Sequence, residues 1–262
     1  MKRDELKSAR EKYRYVPARL VRRVDAGSNA ALAWKSLRLV TDVPSNWRNA
    51  DDTAKYSSFE LDEFHRKLLN SDKDEDLMHG LLSVVFWGFA SGTQGRITAE
   101  RALSKCRAII NGRQNAKPQA SEEIISHLGR ARELLNGSHI SDALLEAMKI
   151  KFVKMSFASK VLAFMKPAIA AVYDDVISSR LMKSTESILR NMYVSTKLTQ
   201  SHKARSDQAN KYEDWCHWCS EEAEALKRQN VRWTDWNGKE KDWRALDVER
   251  AFFALGRGEE AA

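Results

Sequence analysis

From Leu77 to Gly95 the chain carries no Asp, Glu, Lys or Arg. The apolar centre of this run, Leu81-Leu82-Ser83-Val84-Val85-Phe86-Trp87-Gly88-Phe89-Ala90, is too short to cross a bilayer. It predicts a helix buried on every side, closed by a glycine turn from Gly92 to Arg96. Such a helix needs others to cover it. Four Pro and 11 Gly in 262 residues are too few for an all-β chain with a turn every ten residues, and no segment alternates convincingly. An apolar fraction of 43% excludes a disordered chain, and a charged fraction of 31% excludes an integral membrane protein. Three Cys make no disulfide framework, and Met1-Lys2-Arg3-Asp4 opens a charged helix rather than a signal peptide. The expectation is an all-α, cytoplasmic, monomeric protein with no membrane partner.

The covering helices are legible in the spacing. Ser121 is expected to cap a helix through Asn136, with Ile124, Ile125, Leu128, Ala131, Leu134 and Leu135 on one face and Gly137 as its stop. Further helices are expected at 141–150, from Phe157 to Lys166 before Pro167, and from Asp174 or Asp175 through Lys183. Tyr212, Trp215, Cys219, Ala223 and Leu226 make the inner stripe of a long helix, and Asp242–Leu255 is the last. About 26–60 is less regular. With no repeat and no linker-like composition, 1–262 reads as one unit. It divides into a basic N-terminal helix (1–25), a helical lobe (about 75–150), a hairpin segment (about 151–206) and C-terminal helices (207–262).

The net charge of +8 is concentrated. Residues 1–23 hold nine basic against three acidic residues, and 178–206 hold six, Arg180 and Lys183 among them, against one. A polyanion partner is the simplest functional reading, because each neutralised phosphate releases counterions. A merely solvated basic face is the alternative.

The chemistry sits in Met155-Ser156-Phe157-Ala158-Ser159-Lys160-Val161-Leu162-Ala163-Phe164-Met165, where Lys160 is the single charge. A helix lysine is ordinarily a surface residue that snorkels to water. Here burial and the positive end of the helix dipole both disfavour the charged form, which prepares an amine for nucleophilic attack. Fourteen residues on, Asp174 or Asp175 places a carboxylate at a helix start. That is an ordinary N-cap, or a carboxylate facing the lysine across the turn at Pro167. An amine beside a carboxylate suits reactions through an oxocarbenium ion, which the carboxylate stabilises and the amine captures.

Phe157-Ala158-Ser159-Lys160-Val161-Leu162, followed by Pro167 and Tyr173-Asp174, resembles the signature of helix-hairpin-helix DNA glycosylases, nearest to bacterial proteins similar to 8-oxoguanine DNA glycosylase. Phe86-Trp87-Gly88-Phe89 with Gly92 to Arg96, and the ending Trp243 to Phe253, resemble segments of the same proteins. The resemblance covers about 75–255. It implies a two-lobed helical helix-hairpin-helix glycosylase-like fold and excision of a flipped base from double-stranded DNA, with no cofactor. Lys160 falls on the catalytic lysine position, and Asp174 fits the aspartate position better than Asp175. Ser156, Phe157, Ala158 and Ser159 would form the hairpin edge that offers amides to a DNA phosphate, with Arg180 and Lys183 tracking the backbone. Trp87, Arg96 and Phe164 are candidates for the base pocket.

Two departures stand out. The two hairpin glycines of the superfamily are matched by Ser156 and Ala158, and the Lys-to-Asp spacing is shorter. They favour a bulky phage-modified base, such as glucosylated hydroxymethylcytosine, removed in antiphage defence. The alternatives are a repair glycosylase or lyase for 8-oxoguanine or another damaged base, and a helical DNA-binding protein without catalysis. Cys216-His217-Trp218-Cys219 lacks the fourth ligand that zinc or an iron–sulfur cluster needs, so no metal is expected. Trp215, Trp218, Trp233, Trp236 and Trp243 are either core anchors or stacking platforms for bases.

Overall fold

The computed structural model describes residues 3–22, 39–42, 56–90, 99–197 and 201–259. Among them are eleven helices and two short hairpins, an all-α architecture. The uncharged run forms α3 (Asp74–Ala90), in which every residue from Leu77 to Trp87 is buried. Around it pack α2 (Ser58–Leu69), α4 (Ala99–Asn111), α5 (Ser121–Asn136) and α7 (Met155–Met165), which removes every wet face of that helix. The chain order places α6 (Ile140–Ala147) between α5 and α7. After α7 come α8 (Asp175–Lys183), the short α9 (Ser187–Asn191) and α10 (His202–Arg228). The last helix, α11 (Ala245–Glu259), packs on α8, α10 and the N-terminal α1 (Arg3–Lys12).

The expected periodicities carry these contacts. α5 buries Ile124, Leu128, Ala131 and Leu135 and ends at Gly137, though Ala120 rather than Ser121 is its N-cap residue. α10 buries Tyr212, Trp215, Cys219, Ala223 and Leu226. α11 begins at Ala245, later than expected. There the Asp247 carboxylate accepts from the Arg244 amide at 3.3 Å and its guanidinium at 2.7 Å, which fixes the first turn.

The N-terminal helix stops at Lys12 instead of running to 25, because Pro17 has no N–H to give a helix and biases Val16 toward extended backbone. Residues 13–18 lead into β1 (Arg19–Arg22), which pairs antiparallel with β2 (Leu39–Asp42). A second antiparallel pair, β3 (Trp233–Thr234) with β4 (Glu240–Lys241), turns through Gly238 at φ 78°.

Arg10, counted in the sequence among the basic residues facing a polyanion, instead lies in the core. It donates to Asp247 at 3.0 and 3.1 Å and stacks 3.6 Å from the Trp233 ring centre. Asp62 accepts from Arg250 at 2.6 and 2.8 Å and from Arg244 at 2.6 Å. This buried network ties α1, α2 and α11 together, and removing one member strands a charge in the interior. Asp235, beyond β3, caps α2 from a distance, accepting from Ser57 Oγ at 2.6 Å, Ser58 N at 3.1 Å and Phe59 N at 3.2 Å. Burial alone would raise its carboxyl. The hydrogen bonds from Ser57, Ser58, Trp236 and Phe59 outweigh that and hold it below the ordinary carboxylate range. Trp215, Trp233 and Trp243 are fully buried core anchors, and Trp236 nearly so. No helix among the described residues is long and apolar enough to cross a membrane.

Candidate active site

α6 and α7 form a helical hairpin joined by residues 148–154, with Phe152 in the left-handed region at φ 67°. Lys154 is the N-cap residue of α7, and its carbonyl accepts from the Phe157 and Ala158 amides at 2.9 and 2.8 Å. Of the predicted phosphate-facing residues, only Ser156 therefore has an amide ahead of the first helical bond. Ala158 is fully buried, and the Phe157 ring lies 4.6 Å from that of Phe89.

Ser159 does something the sequence did not suggest. It is fully buried, and its Oγ accepts from the Tyr173 amide at 3.0 Å while lying 3.2 Å from the Tyr173 carbonyl oxygen. The next residues on the two strands of chain are Lys160 and Asp174, so this pairing sets the register that faces them. Trp215 Nε1 donates to the Val172 carbonyl at 3.0 Å and the Cys216 thiol accepts from Ala171 N at 3.4 Å, pinning the strap from the α10 side. The Tyr173 hydroxyl accepts from Val194 N at 2.8 Å and lies 3.0 Å from the Met192 carbonyl oxygen. Burial pushes this phenol up to about 12, so it stays protonated.

Lys160 Nζ donates to Asp174 Oδ2 at 3.4 Å and to the Ser156 carbonyl at 3.3 Å. The Lys160 side chain is 10% exposed and that of Asp174 is 21%, so the pair is sheltered yet reachable. Asp174 Oδ1 accepts from the Val176 and Ile177 amides, each at 3.2 Å, which fixes the carboxylate at the positive end of α8. Asp175 turns outward and accepts from Thr196 Oγ1. Gly88 on α3 makes room for the lysine: a Cβ there would lie 2.7 Å from Phe157 Cε1 and 3.3 Å from Lys160 Cδ.

Of the pocket candidates, Phe164 is fully buried, 5.1 Å from the Trp87 ring and 4.6 Å from the His65 ring. Trp87 is 5% exposed and its Nε1 has no hydrogen-bond partner among the described residues. Arg96 lies outside the described residues. On α8, the Arg180 guanidinium sits 4.4 Å over the Phe252 ring, and Lys183 is exposed. Cys216 and Cys219 are fully buried, and burial pushes the Cys216 thiol up to about 12. Cys106 lies apart from them, its thiol donating to the Leu82 carbonyl.

A third ionisable group belongs to this neighbourhood. Glu249 on α11 is 3% exposed. Burial first, and then the negative charge of Asp174, raise its carboxyl to about 8, against a partial opposing pull from Arg250, Lys160 and Arg10. Both effects favour its protonated form. Sequence reasoning placed it only in a C-terminal helix, since Asp174 and Lys160 lie 75 or more residues away.

Residues 29–253 match the family model described as "Putative 8-oxoguanine DNA glycosylase OGG-like protein". The chain belongs to this family. The match spans the hairpin, the Lys160–Asp174 pair and the C-terminal helix that carries Glu249. No curated protein and no solved structure matches.

Proposed function

We propose that this chain is a DNA N-glycosylase in which Lys160 and Asp174 are the reacting pair. The 3.4 Å contact between them, sheltered but open to solvent, is the observation that carries the reading. A target nucleotide would be extruded from bent duplex DNA, at the usual cost of unstacking it. As the C1′–N bond breaks, the base departs with its electrons and takes up a proton, and Asp174 stabilises the cationic sugar. Lys160, having lost its ammonium proton, attacks C1′; in a monofunctional enzyme it positions water instead. The Ser156 amide, Arg180 and Lys183 would contact phosphates, and Trp87, Arg96 and Phe164 would border the base.

The base we propose is a bulky modified cytosine of phage DNA, such as glucosylated hydroxymethylcytosine. It is favoured by the glycine-free hairpin and by the short span between Lys160 and Asp174. The family's printed description favours a second substrate, 8-oxoguanine. Alkali-dependent cleavage of duplexes carrying 8-oxoguanine, uracil or alkylated bases, beside unmodified and glucosylated phage DNA, separates the two. Selective cleavage of the phage DNA supports the first, and cleavage of the 8-oxoguanine duplex alone replaces it with the second. DNA binding with no cleavage anywhere would leave a helical binding protein.

A further inference from the structure

Besides 1–23 and 178–206, the chain holds a third basic segment. Residues 101–119 contain five basic residues and no acidic one, and the single acid of α4, Glu100, lies in its first turn at the far end. Arg107, Arg113 and Lys117 are exposed and Lys105 is half-buried, and none of the four pairs with a carboxylate among the described residues. Past α4 the chain closes into a turn, where the Arg113 and Ala116 backbones exchange hydrogen bonds at 2.8 and 3.0 Å. This turn is fastened to the helical hairpin. The Arg113 guanidinium lies 4.5 Å over the Phe152 ring, Lys151 Nζ donates to the Lys117 carbonyl at 3.3 Å, and the Lys151 amide donates to Gln119 Oε1 at 2.9 Å. An open cleft of about 360 Å³, lined in part by Lys105, Arg107 and Arg113, leaves room for phosphate groups among the cations. From this cleft a row of rings leads to the site. Lys105 Nζ sits 5.6 Å from the Phe89 ring, Phe89 lies 4.6 Å from Phe157, and Lys160 Nζ is 5.7 Å from the Phe157 ring.

We propose that the outer end of α4 and the 112–119 turn form a surface that grips the phosphate backbone of duplex DNA, with Arg107, Arg113 and Lys117 as its contacts. The proposal rests on the reading of the chain as a DNA glycosylase. The surface is separate from Arg180 and Lys183, because α4 packs chiefly on α3 whereas α8 packs on α9 and α11. Lys160 leans on Gly88 of α3, and Asp174 caps α8. The Lys160–Asp174 pair therefore lies between two basic flanks, which suits a duplex held on both sides of one extruded nucleotide. A string of phosphates fits this face better than a single bound anion. The cleft is at the C-terminal end of α4, where the helix carbonyls repel an anion. Attraction has to come from the long side chains, each able to meet a different phosphate and release its counterions. Rings hold two of these cations in place, Phe152 under Arg113 and Phe89 under Lys105, so fewer rotamers are lost when DNA arrives.

The test measures binding of the full chain to a labelled, unmodified DNA duplex by fluorescence anisotropy, in a salt series from about 50 to 200 mM. The variant combines Arg107→Gln, Arg113→Gln and Lys117→Gln. Its comparison combines Arg130→Gln, Lys211→Gln and Lys227→Gln, which removes equal charge from exposed cations already paired with Glu133, Asp214 and Glu224. The slope of log affinity against log salt should become shallower by about 2–3 in the first variant, with affinity at low salt falling about 100-fold. In the comparison variant the slope should stay within about half a unit of the natural chain. Arg107→Gln alone loses no ring contact or ion pair and should shift the slope by about one, so the proposal stays testable if the triple variant misfolds by circular dichroism. An unchanged slope in the folded variants, or an equal change in the comparison, would overturn this surface while leaving DNA binding intact. A natural chain without salt-dependent binding to the duplex would overturn the glycosylase reading and the proposal with it.

Discussion

Replacing Ser159 by Ala separates the alignment of the Lys160–Asp174 pair from its proposed chemistry. Ser159 is fully buried; its hydroxyl accepts from the Tyr173 amide at 3.0 Å and lies 3.2 Å from the carbonyl oxygens of both Tyr173 and Ser156. Removing the oxygen leaves a buried peptide N–H without its acceptor, a cost of about 2 kcal/mol. For a chain of this size that lowers Tm by roughly 4–8 °C. The functional loss should be larger than the stability loss implies, because Asp174 follows Tyr173 directly and a shift of about 1 Å can cost on the order of 100-fold in rate. Thermal unfolding by circular dichroism and single-turnover base excision measure the two effects. Ser178→Ala is the comparison, since Ser178 Oγ donates to the Val194 carbonyl at 2.7 Å and meets Tyr173 only at its hydroxyl, away from the backbone that leads to Asp174. It should lose similar stability and little rate. A Ser159→Ala enzyme that is destabilised yet excises as fast as the natural chain would refute the view that this hydroxyl sets the register.

Asp174→Asn should lower excision by about 100- to 1,000-fold and cost stability on the order of 1–3 kcal/mol, because Asn keeps the cap while the sheltered Lys160 loses its carboxylate partner; undiminished excision would leave Asp174 as a structural cap. Gly88→Ala should cost about 1–3 kcal/mol by overpacking and reduce Lys160 reactivity, since the new Cβ meets Phe157 and the lysine stem; unaltered borohydride trapping of the lysine on abasic DNA would count against that packing role. Asp62→Asn should destabilise by about 3–5 kcal/mol, because Arg250 and Arg244 both lose their short pairing to this buried carboxylate, and denaturant titration measures it. Stability should fall as pH rises from the ordinary glutamate range to about 8 and then level, because folded Glu249 keeps a proton that the unfolded chain releases. Tm measured against pH in the natural chain and in Glu249→Gln checks this, the variant showing the shallower fall.

The helices were legible wherever burial follows helical spacing, as in α5 and the Tyr212 to Leu226 stripe of α10. Lys160 stood out because a single charge in an apolar helix is costly, and Asp174 because carboxylates favour helix starts. The β3–β4 hairpin was invisible, since two-residue strands have no alternation to detect. Arg10, Asp62, Asp247 and Arg250 were hidden for another reason: a buried charge looks like a surface charge until its partner, here up to 237 residues distant, is placed. Ser159 meets Tyr173 through a pairing of the same hidden kind. Its residue type gave no hint, and only the register of the strap after Pro167 brings it there.

The most direct test is alkali-dependent strand cleavage across the panel of modified and phage DNAs, run with the natural chain, Lys160→Gln and Asp174→Asn. One modified DNA should be cleaved by the natural chain and by neither variant, with both variants still binding it. Undiminished cleavage by Lys160→Gln and Asp174→Asn would show that base excision, if present, is carried by other residues.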